Sequence, residues 1–228
     1  MAVLPTHRPL ARRRLLAAGV VAAAAAVAVP VRSGPLPPPL RDGDLVFQES
    51  KSRQSAAILA ATGSRFTHMG IVRWRAGAAY VVEAAATVRE TPLQAWTRRG
   101  KGGRYAVYRV RNLTAAQTAA MLHAAERYYG RPYDRLFQPG GAALYCSELP
   151  RLAFLAIGIS LGREQHFRDL NVDDGSVVQL LAERWRQHPR CTGLASADAC
   201  WQAIQDQPIV TPASIAADSQ VTPIYSNF

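Results

Sequence analysis

Several familiar signatures of catalysis are missing from the 228 residues of this chain. There is no HExxH zinc motif and no Walker-type glycine loop, so the sequence gives no support to zinc-peptidase or nucleotide chemistry. Cysteine is scarce, because there are only three and none belongs to a CxxC pair, which is too little for a typical structural zinc site. We therefore expect neither a metal nor a cofactor.

Negative charge is scarce as well. The chain has 27 Lys and Arg residues against 16 Asp and Glu, a formal net charge of +11, and no acid precedes residue 35. Five of the arginines also precede residue 35, so the remainder of the chain carries +6. That charge favours anionic surroundings such as a phospholipid surface or a cell-wall polymer. Because no Lys/Arg run alternates with aromatic residues in the globular part, we expect no nucleic-acid partner.

The N-terminus has the pattern of an export signal. Arg12 to Arg14 precede an apolar run from Leu15 to Val29, and its 15 residues suit a signal-peptide core of about 7–15 better than a spanning helix of about 20. Ala26-Val27-Ala28 offers a small-x-small cleavage site. We expect residues 1–29 to be a signal peptide or a membrane anchor, with Sec and twin-arginine export both open. The rest of the protein would then be periplasmic, or anchored and facing the exterior.

A proline-rich stretch separates this segment from the remainder. Five prolines fall between Pro30 and Pro39, which predicts a stiff, extended linker over residues 30–41. Residues 42–228 then form one domain of ordinary size, since 49% of the chain is hydrophobic and can build a sizeable core.

The pattern of the globular part mixes short strands and helices. Strands are predicted at DLVFQE, FTHMGIVRW, AYVVEAA and RYAVYRV, and the middle two are close enough to form a hairpin. Helices are predicted at SRQSAAILAAT, TAAQTAAMLHAAERYY, CSELPRLAFLAIG, SVVQLLAERW and TPASIA, the second with a capping box of Thr114 and Gln117. In TPLQAW, Thr91 is predicted to cap a helix with Pro92 at its first position. The expected fold class is α+β, with an antiparallel sheet packed against helices.

If the protein is exported, its three cysteines divide into a disulfide pair and one unpaired residue. Cys191 and Cys200 are close enough in sequence to close a small disulfide loop. Cys146 is then unpaired, and such a thiol is either buried and inert or reactive and used. Its position favours reactivity, because Pro150 is comfortable only if the helix begins at about Cys146 or Ser147, or bends there. A cysteine at a helix N-terminus meets free N–H groups and the positive end of the dipole, which favour a thiolate.

His68 and Glu83 are the residues that would activate this thiol. His68 lies inside the predicted strand FTHMGIV, whereas the other histidines fall in the N-terminal segment, on a helix surface or in irregular polar stretches. Glu83 stands among apolar residues of the next strand, where an unpaired carboxylate is costly. A cross-strand pair with His68 would satisfy the carboxylate and orient the imidazole, and a salt bridge to an arginine is the alternative.

Together these stretches resemble the permuted papain-like amidases of the YaeF/YiiX type, a circularly permuted branch of the NlpC-type cell-wall cysteine peptidases. The resemblance runs from about Asp42 to Ala216. It rests on GDLVFQES, FTHMGIV, YVVEA followed by VRETPLQAW, YYGRPYD, YCSE and TPASI, in this order. The unpermuted relatives place the cysteine before the histidine, whereas here His68 precedes Cys146. Pro150 departs from the plain helix expected after YCSE.

The resemblance implies a role for each candidate site residue. Cys146 is the expected nucleophile, His68 the general base and Glu83 the residue that orients His68, while Tyr133 and Tyr145 line the substrate cleft. The implied reaction is acyl transfer through a thioester, with backbone N–H groups holding the oxyanion.

Three functions are open on the sequence. The first expectation is an exported cysteine amidase or peptidase acting on peptidoglycan peptides. The second is an acyl-lipid amidase or acyltransferase of the same chemistry, resting on an anionic membrane through its basic charge. The third is a non-catalytic cell-envelope binding module.

Overall fold

The computed structural model describes residue 1, residues 39–140 and residues 142–228. Apart from Met1, the predicted export signal lies outside the described residues, and so does the predicted linker up to residue 38. Within the described ranges, no helix has the length and apolar character needed to cross a membrane.

A six-stranded sheet forms the centre of the fold, with the order β4-β3-β2-β1-β5-β8 and antiparallel pairing throughout. Its strands are β1 (Leu45–Gln48), β2 (His68–Arg75), β3 (Ala78–Ala84), β4 (Val88–Pro92), β5 (Ala106–Val110) and β8 (Val221–Ser226). A second, two-stranded sheet pairs β6 (Gln165–His166) with β7 (Pro208–Ile209). The predicted strands and the predicted hairpin of β2 and β3 are present.

The helices pack against the larger sheet and against one another. They are α1 (Arg53–Thr62), α2 (Leu93–Arg99), α3 (Ala115–Glu126), α4 (Glu148–Leu155), α5 (Gly175–Arg184), α6 (Ala197–Ile204) and α7 (Pro212–Ala216). The capping box predicted for α3 is present, since the Thr114 hydroxyl and the Gln117 side chain each accept the other residue's backbone N–H. Sheet and helices together confirm the α+β class.

The two faces of the sheet bury different clusters, because successive strand residues point to opposite sides. Phe47, Met69 and Ile71 belong to the main core, which also takes in side chains of α3 and α4. On the other face, Val72 and Trp96 belong to a smaller cluster, to which α2 contributes Trp96. His68 stacks on Trp96 with ring centroids 6.1 Å apart, so the histidine stands on the face that α2 covers.

Candidate active site

His68 and Glu83 meet across strands β2 and β3. The strand register pairs Ile71 with Val82, so Glu83 lies beside Gly70 and diagonal to His68 on the same face. His68 Nε2 is 2.6 Å from Glu83 Oε2. Gly70 permits this close arrangement, because a Cβ there would lie 2.7 Å from the Val82 carbonyl oxygen. The structure thus brings together the cross-strand pair that the sequence suggests.

The carboxylate of Glu83 is fully buried and has partners on both oxygens. Oε1 accepts hydrogen bonds from Thr91 Oγ1 at 2.6 Å and from the Arg99 guanidinium. Burial by itself would raise the pKa of Glu83, but its three partners outweigh burial and lower the pKa to about 2. The two expectations for Glu83, a histidine partner and an arginine salt bridge, hold at the same time.

The expectation that Thr91 caps a helix is wrong. Thr91 is a residue of β4 paired with Val81, and α2 begins only at Leu93 without a side-chain cap. Pro92 keeps an extended backbone (φ −52°, ψ 131°), so the strand continues through Thr91 and the threonine hydroxyl faces Glu83. Sequence reasoning missed the contact of Glu83 with Thr91, the first residue of the quoted block TPLQAW, and with Arg99, three residues beyond its end.

Cys146 lies in the turn that leads into α4 and is 1% exposed. The helix begins at Glu148, two residues after the cysteine, and Pro150 is its third residue. A proline in the first turn is tolerated, because the N–H that it lacks has no partner within the helix. Pro150 therefore fits the helix without a bend, and Cys146 stands immediately before the helix N-terminus.

His68 interacts with Cys146 as well as with Glu83. Burial of His68 favours its neutral form. The hydrogen bonds and charges of Cys146 and Glu83 outweigh burial and raise the pKa of His68 to about 9. Burial likewise works to raise the pKa of the Cys146 thiol, yet the bond and charge of His68 outweigh it, and the pKa falls below its ordinary value. The Met69 N–H and the Tyr133 hydroxyl add to this lowering. Each residue thus favours the charged form of the other, a thiolate for Cys146 and an imidazolium for His68.

Tyr133 is held beside the nucleophile by the backbone. It forms a parallel bridge with Leu144, two residues before Cys146. Its hydroxyl accepts a hydrogen bond from Gln54 Nε2 at 2.9 Å. Because Gln54 fills an acceptor position, the hydroxyl proton is available to the sulfur of Cys146, with which Tyr133 also interacts.

Tyr145 lies in different surroundings from Tyr133. Its ring is buried in the main core and packs against Phe137 with centroids 5.5 Å apart. Its hydroxyl accepts the Val210 N–H at 3.3 Å, and burial raises its pKa. Tyr145 thus forms part of a wall, whereas Tyr133 reaches the thiol.

An apolar cavity of about 350 Å³ opens beside Cys146. Its wall comes from α1, α5, α6 and neighbouring loops, and includes Ile58, Phe137, Leu181, Trp201, Ile204 and Ile209. A disulfide between Cys191 and Cys200 joins the 3₁₀ turn Pro189–Cys191 to α6, which contributes to this wall. Cys146 is the free cysteine of the described residues.

Ser160 is a second candidate nucleophile by spacing alone, because GISLG at residues 158–162 matches the GxSxG pattern. The motif acts as a nucleophile elbow only at a sharp turn from a strand into a helix. Here the stretch follows helix α4 and leads to no helix, and Ser160 is exposed. The geometry does not support a role for Ser160.

The sheet, the helix that follows the cysteine and the order of His68 and Glu83 before Cys146 define a permuted papain-like protein. The chain belongs to the family of permuted papain-like amidase enzymes, YaeF/YiiX, C92 family, whose model matches residues 39–225. The resemblance drawn from the motifs is therefore confirmed.

Two relatives from Escherichia coli are similar to this chain. The uncharacterized protein YiiX of strain K12 is 36% identical over 145 residues, which is 63% of this chain and 72% of the relative. The crystal structure of the metalloprotein yiiX from strain O157:H7 superposes with a TM-score of 0.73 at 30% identity, over 82% of this chain and 98% of that one.

Proposed function

We propose that this protein is an exported cysteine amidase that acts through Cys146, His68 and Glu83. The observation that carries the proposal is the buried thiol paired with His68, whose Nε2 lies 2.6 Å from the buried Glu83 carboxylate. A lowered thiol pKa beside an oriented histidine is the arrangement that nucleophilic cysteine catalysis needs. Membership of an amidase family supports the same reaction class.

The proposed reaction proceeds through a thioester. The Cys146 thiolate attacks the amide carbon, and the carbonyl electron pair moves to oxygen, where backbone N–H groups stabilise the charge. The carbonyl re-forms as the C–N bond breaks, and the His68 imidazolium gives its proton to the leaving amine. Neutral His68 then takes a proton from water, which attacks the thioester. The acid leaves, and thiolate and imidazolium are restored.

Two substrate classes follow from different observations. The relationship to cell-wall cysteine peptidases favours peptidoglycan peptides, which is the expectation from the sequence. The cavity favours an amide of an acyl lipid, because its walls are mainly apolar and Cys146 is one of the residues that line it. Because of this cavity, we propose acyl-lipid amides and peptidoglycan peptides as equally supported substrate classes.

Metal binding, which the description of the O157:H7 yiiX structure attributes to that protein, does not fit the residues of this site. In the ranges that the structure describes, no three His, Cys, Asp or Glu side chains are arranged as ligands of one ion. One carboxylate oxygen of Glu83 is already bonded to a ring nitrogen of His68. The other oxygen already accepts hydrogen bonds from Thr91 and Arg99. The proposed mechanism has no step through a metal.

Export remains a proposal as well. The signal-like N-terminus and the Cys191–Cys200 disulfide support a location outside the cytoplasm, in an oxidising compartment. Fractionation of cells that express the full chain tests it: the protein should appear in the periplasm or on the outer side of a membrane. Recovery from the cytoplasm alone would contradict it.

Turnover assays with the purified full chain test the proposed reaction. Muropeptides and vesicles that contain acyl-amide lipids are incubated with wild type and with Cys146→Ala, and newly released amines and acids are quantified. We expect product from at least one substrate class with wild type and none with the variant. Folded wild type that turns over neither class, or a variant as active as wild type, contradicts the proposal. Binding that is unchanged in Cys146→Ala, without turnover, would favour a binding module.

A further inference from the structure

Two arginines stand in the mainly apolar wall of the cavity beside Cys146. They are Arg135, in the loop after Tyr133, and Arg184, the last residue of α5. Arg184 Nη1 donates to Gln54 Oε1 and to the Arg135 backbone carbonyl, both at 2.8 Å. Among the described residues, Arg184 Nε and Nη2 have no hydrogen-bond or ion-pair partner, and neither does the Arg135 guanidinium. Both guanidiniums therefore have donors to spare.

Asp173 and Asp198 also line the cavity, but among the described residues no carboxylate forms an ion pair with Arg135 or Arg184. Glu183, the acid next to Arg184, forms an ion pair with Arg53 at 2.5 Å, and its charge acts on Arg184 without forming an ion pair with it. Burial and then the charge of Arg135 lower the pKa of Arg184, which shows that the two cations face the same region. Arg184 is half-buried with donors that lack a partner, which an anion would satisfy, and the exposed Arg135 guanidinium adds a second positive charge nearby.

The arginines lie close to the reacting atoms. Arg184 bonds to Gln54, whose amide donates to the Tyr133 hydroxyl at 2.9 Å, and that hydroxyl interacts with Cys146. A group bound by Arg184 would therefore sit near the amide that Cys146 attacks. Guanidinium forks match the geometry of carboxylate and phosphate oxygens.

We propose that Arg135 and Arg184 bind an anionic group of the substrate, a carboxylate or a phosphate, next to an amide whose acyl chain lies in the apolar cavity. The substrate is thus an amphiphile with an apolar chain on the acyl side and negative charge on the amine side. This inference rests on the acyl-lipid form of the function proposed above. It adds that the amine released from the substrate carries a negatively charged group.

Binding to the full-length Cys146→Ala protein tests the inference without turnover. The ligands share one acyl chain: N-decanoylglycine carries a carboxylate, N-decanoyl phosphoethanolamine a phosphate, and N-decanoylglycinamide no charge. Calorimetry should give at least one anionic ligand a Kd about tenfold or more below that of the neutral ligand. The tighter of the two anionic ligands identifies which oxygen group the site takes.

Arginine variants of the same protein locate the effect. Arg184→Gln should raise the Kd of the anionic ligand to near that of the neutral one, and Arg135→Gln, at an exposed position, should raise it in part. Arg186→Gln is the matched control, because it removes the same charge two residues further on, from a side chain that stacks on Trp185 and does not line the cavity. It should leave the preference intact.

Three results would overturn the inference: equal affinity for charged and neutral ligands, the same loss in Arg186→Gln as in Arg184→Gln, or no binding of any ligand. Turnover by wild type separates this from the proposed function. Equal hydrolysis of N-decanoylglycine and N-decanoylglycinamide would keep the amidase and remove the anion site. A clear anionic preference without hydrolysis would keep the anion site and remove the amidase.

Discussion

Thr91 and Glu83 form a buried hydrogen bond on the side of the carboxylate that faces away from His68. The Thr91 hydroxyl lies 2.6 Å from Glu83 Oε1, and His68 Nε2 lies 2.6 Å from Oε2. Arg99 of α2 also donates to Oε1. The residue that orients the histidine is therefore itself oriented, by one side chain from β4 and one from α2.

Replacing Thr91 with valine should test this orientation. Thr91→Val keeps the branched shape but leaves a buried carboxylate oxygen with one donor fewer, so we expect a loss of about 1–3 kcal/mol in unfolding free energy. We also expect kcat to fall about tenfold, since His68 is less firmly held. Thr91→Ser retains the hydroxyl and should preserve most activity. If the valine and serine variants have equal kcat, Thr91 does not position the site.

Glu83→Gln should narrow the pH range in which the site is active. Glutamine lacks the charge that stabilises the imidazolium, so the pKa of His68 should fall from about 9. In a pH profile of kcat/KM, the alkaline limb, which follows His68, should move to lower pH. Lower activity with both limbs unmoved would assign Glu83 a purely structural part.

Glu148 should make stability depend on pH near neutrality. Its Oε1 accepts the Gly140 N–H at 2.6 Å, while Oε2 is buried without a partner among the described residues. Burial raises its pKa from 4.5 to about 7. A raised carboxyl pKa contributes stability that is complete below pH 4.5 and is lost as pH rises through 7. As pH rises from 4.5 to about 7, Glu148→Gln should therefore become more stable relative to wild type.

Urea unfolding of both proteins at about pH 5 and pH 8 measures this difference. The variant should be more stable relative to wild type at the higher pH. A difference that is the same at both pH values would show that Glu148 titrates normally.

The disulfide should appear in the isolated protein. Mass spectrometry of the non-reduced, exported chain should find Cys191 linked to Cys200 and Cys146 free. Because the bond closes a short loop in the cavity wall, Cys191→Ser with Cys200→Ser should cost about 2–3 kcal/mol of stability. A disulfide that includes Cys146 would contradict this assignment.

Local features were predictable from sequence because local interactions determine them. The capping box of Thr114 and Gln117 needs only four consecutive residues. The pairing of β2 with β3 follows from two alternating segments separated by Gly77, whose φ of 77° suits a tight turn. Glu83 drew attention because a charge within an apolar strand must have a partner.

Contacts between distant segments were not predictable in this way. Arg184 and Gln54 are separated by 130 residues, so only the packing of α5 on α1 brings them together. Thr91 was misassigned because Thr-Pro is typical of a helix start, whereas pairing with β3 keeps Thr91 in a strand. Arg99 lies on a surface helix rich in arginine, where nothing in the sequence separates it from its neighbours.

The rate of iodoacetamide labelling at Cys146 as a function of pH, in wild type and His68→Ala, tests the central claim most directly. The account predicts that the wild-type thiolate appears well below the ordinary cysteine pKa of about 8.5, and that this reactivity is lost in the variant. An ordinary or unreactive thiol, with the same profile in both proteins, would contradict a Cys146–His68 pair and make the cysteine a packing residue.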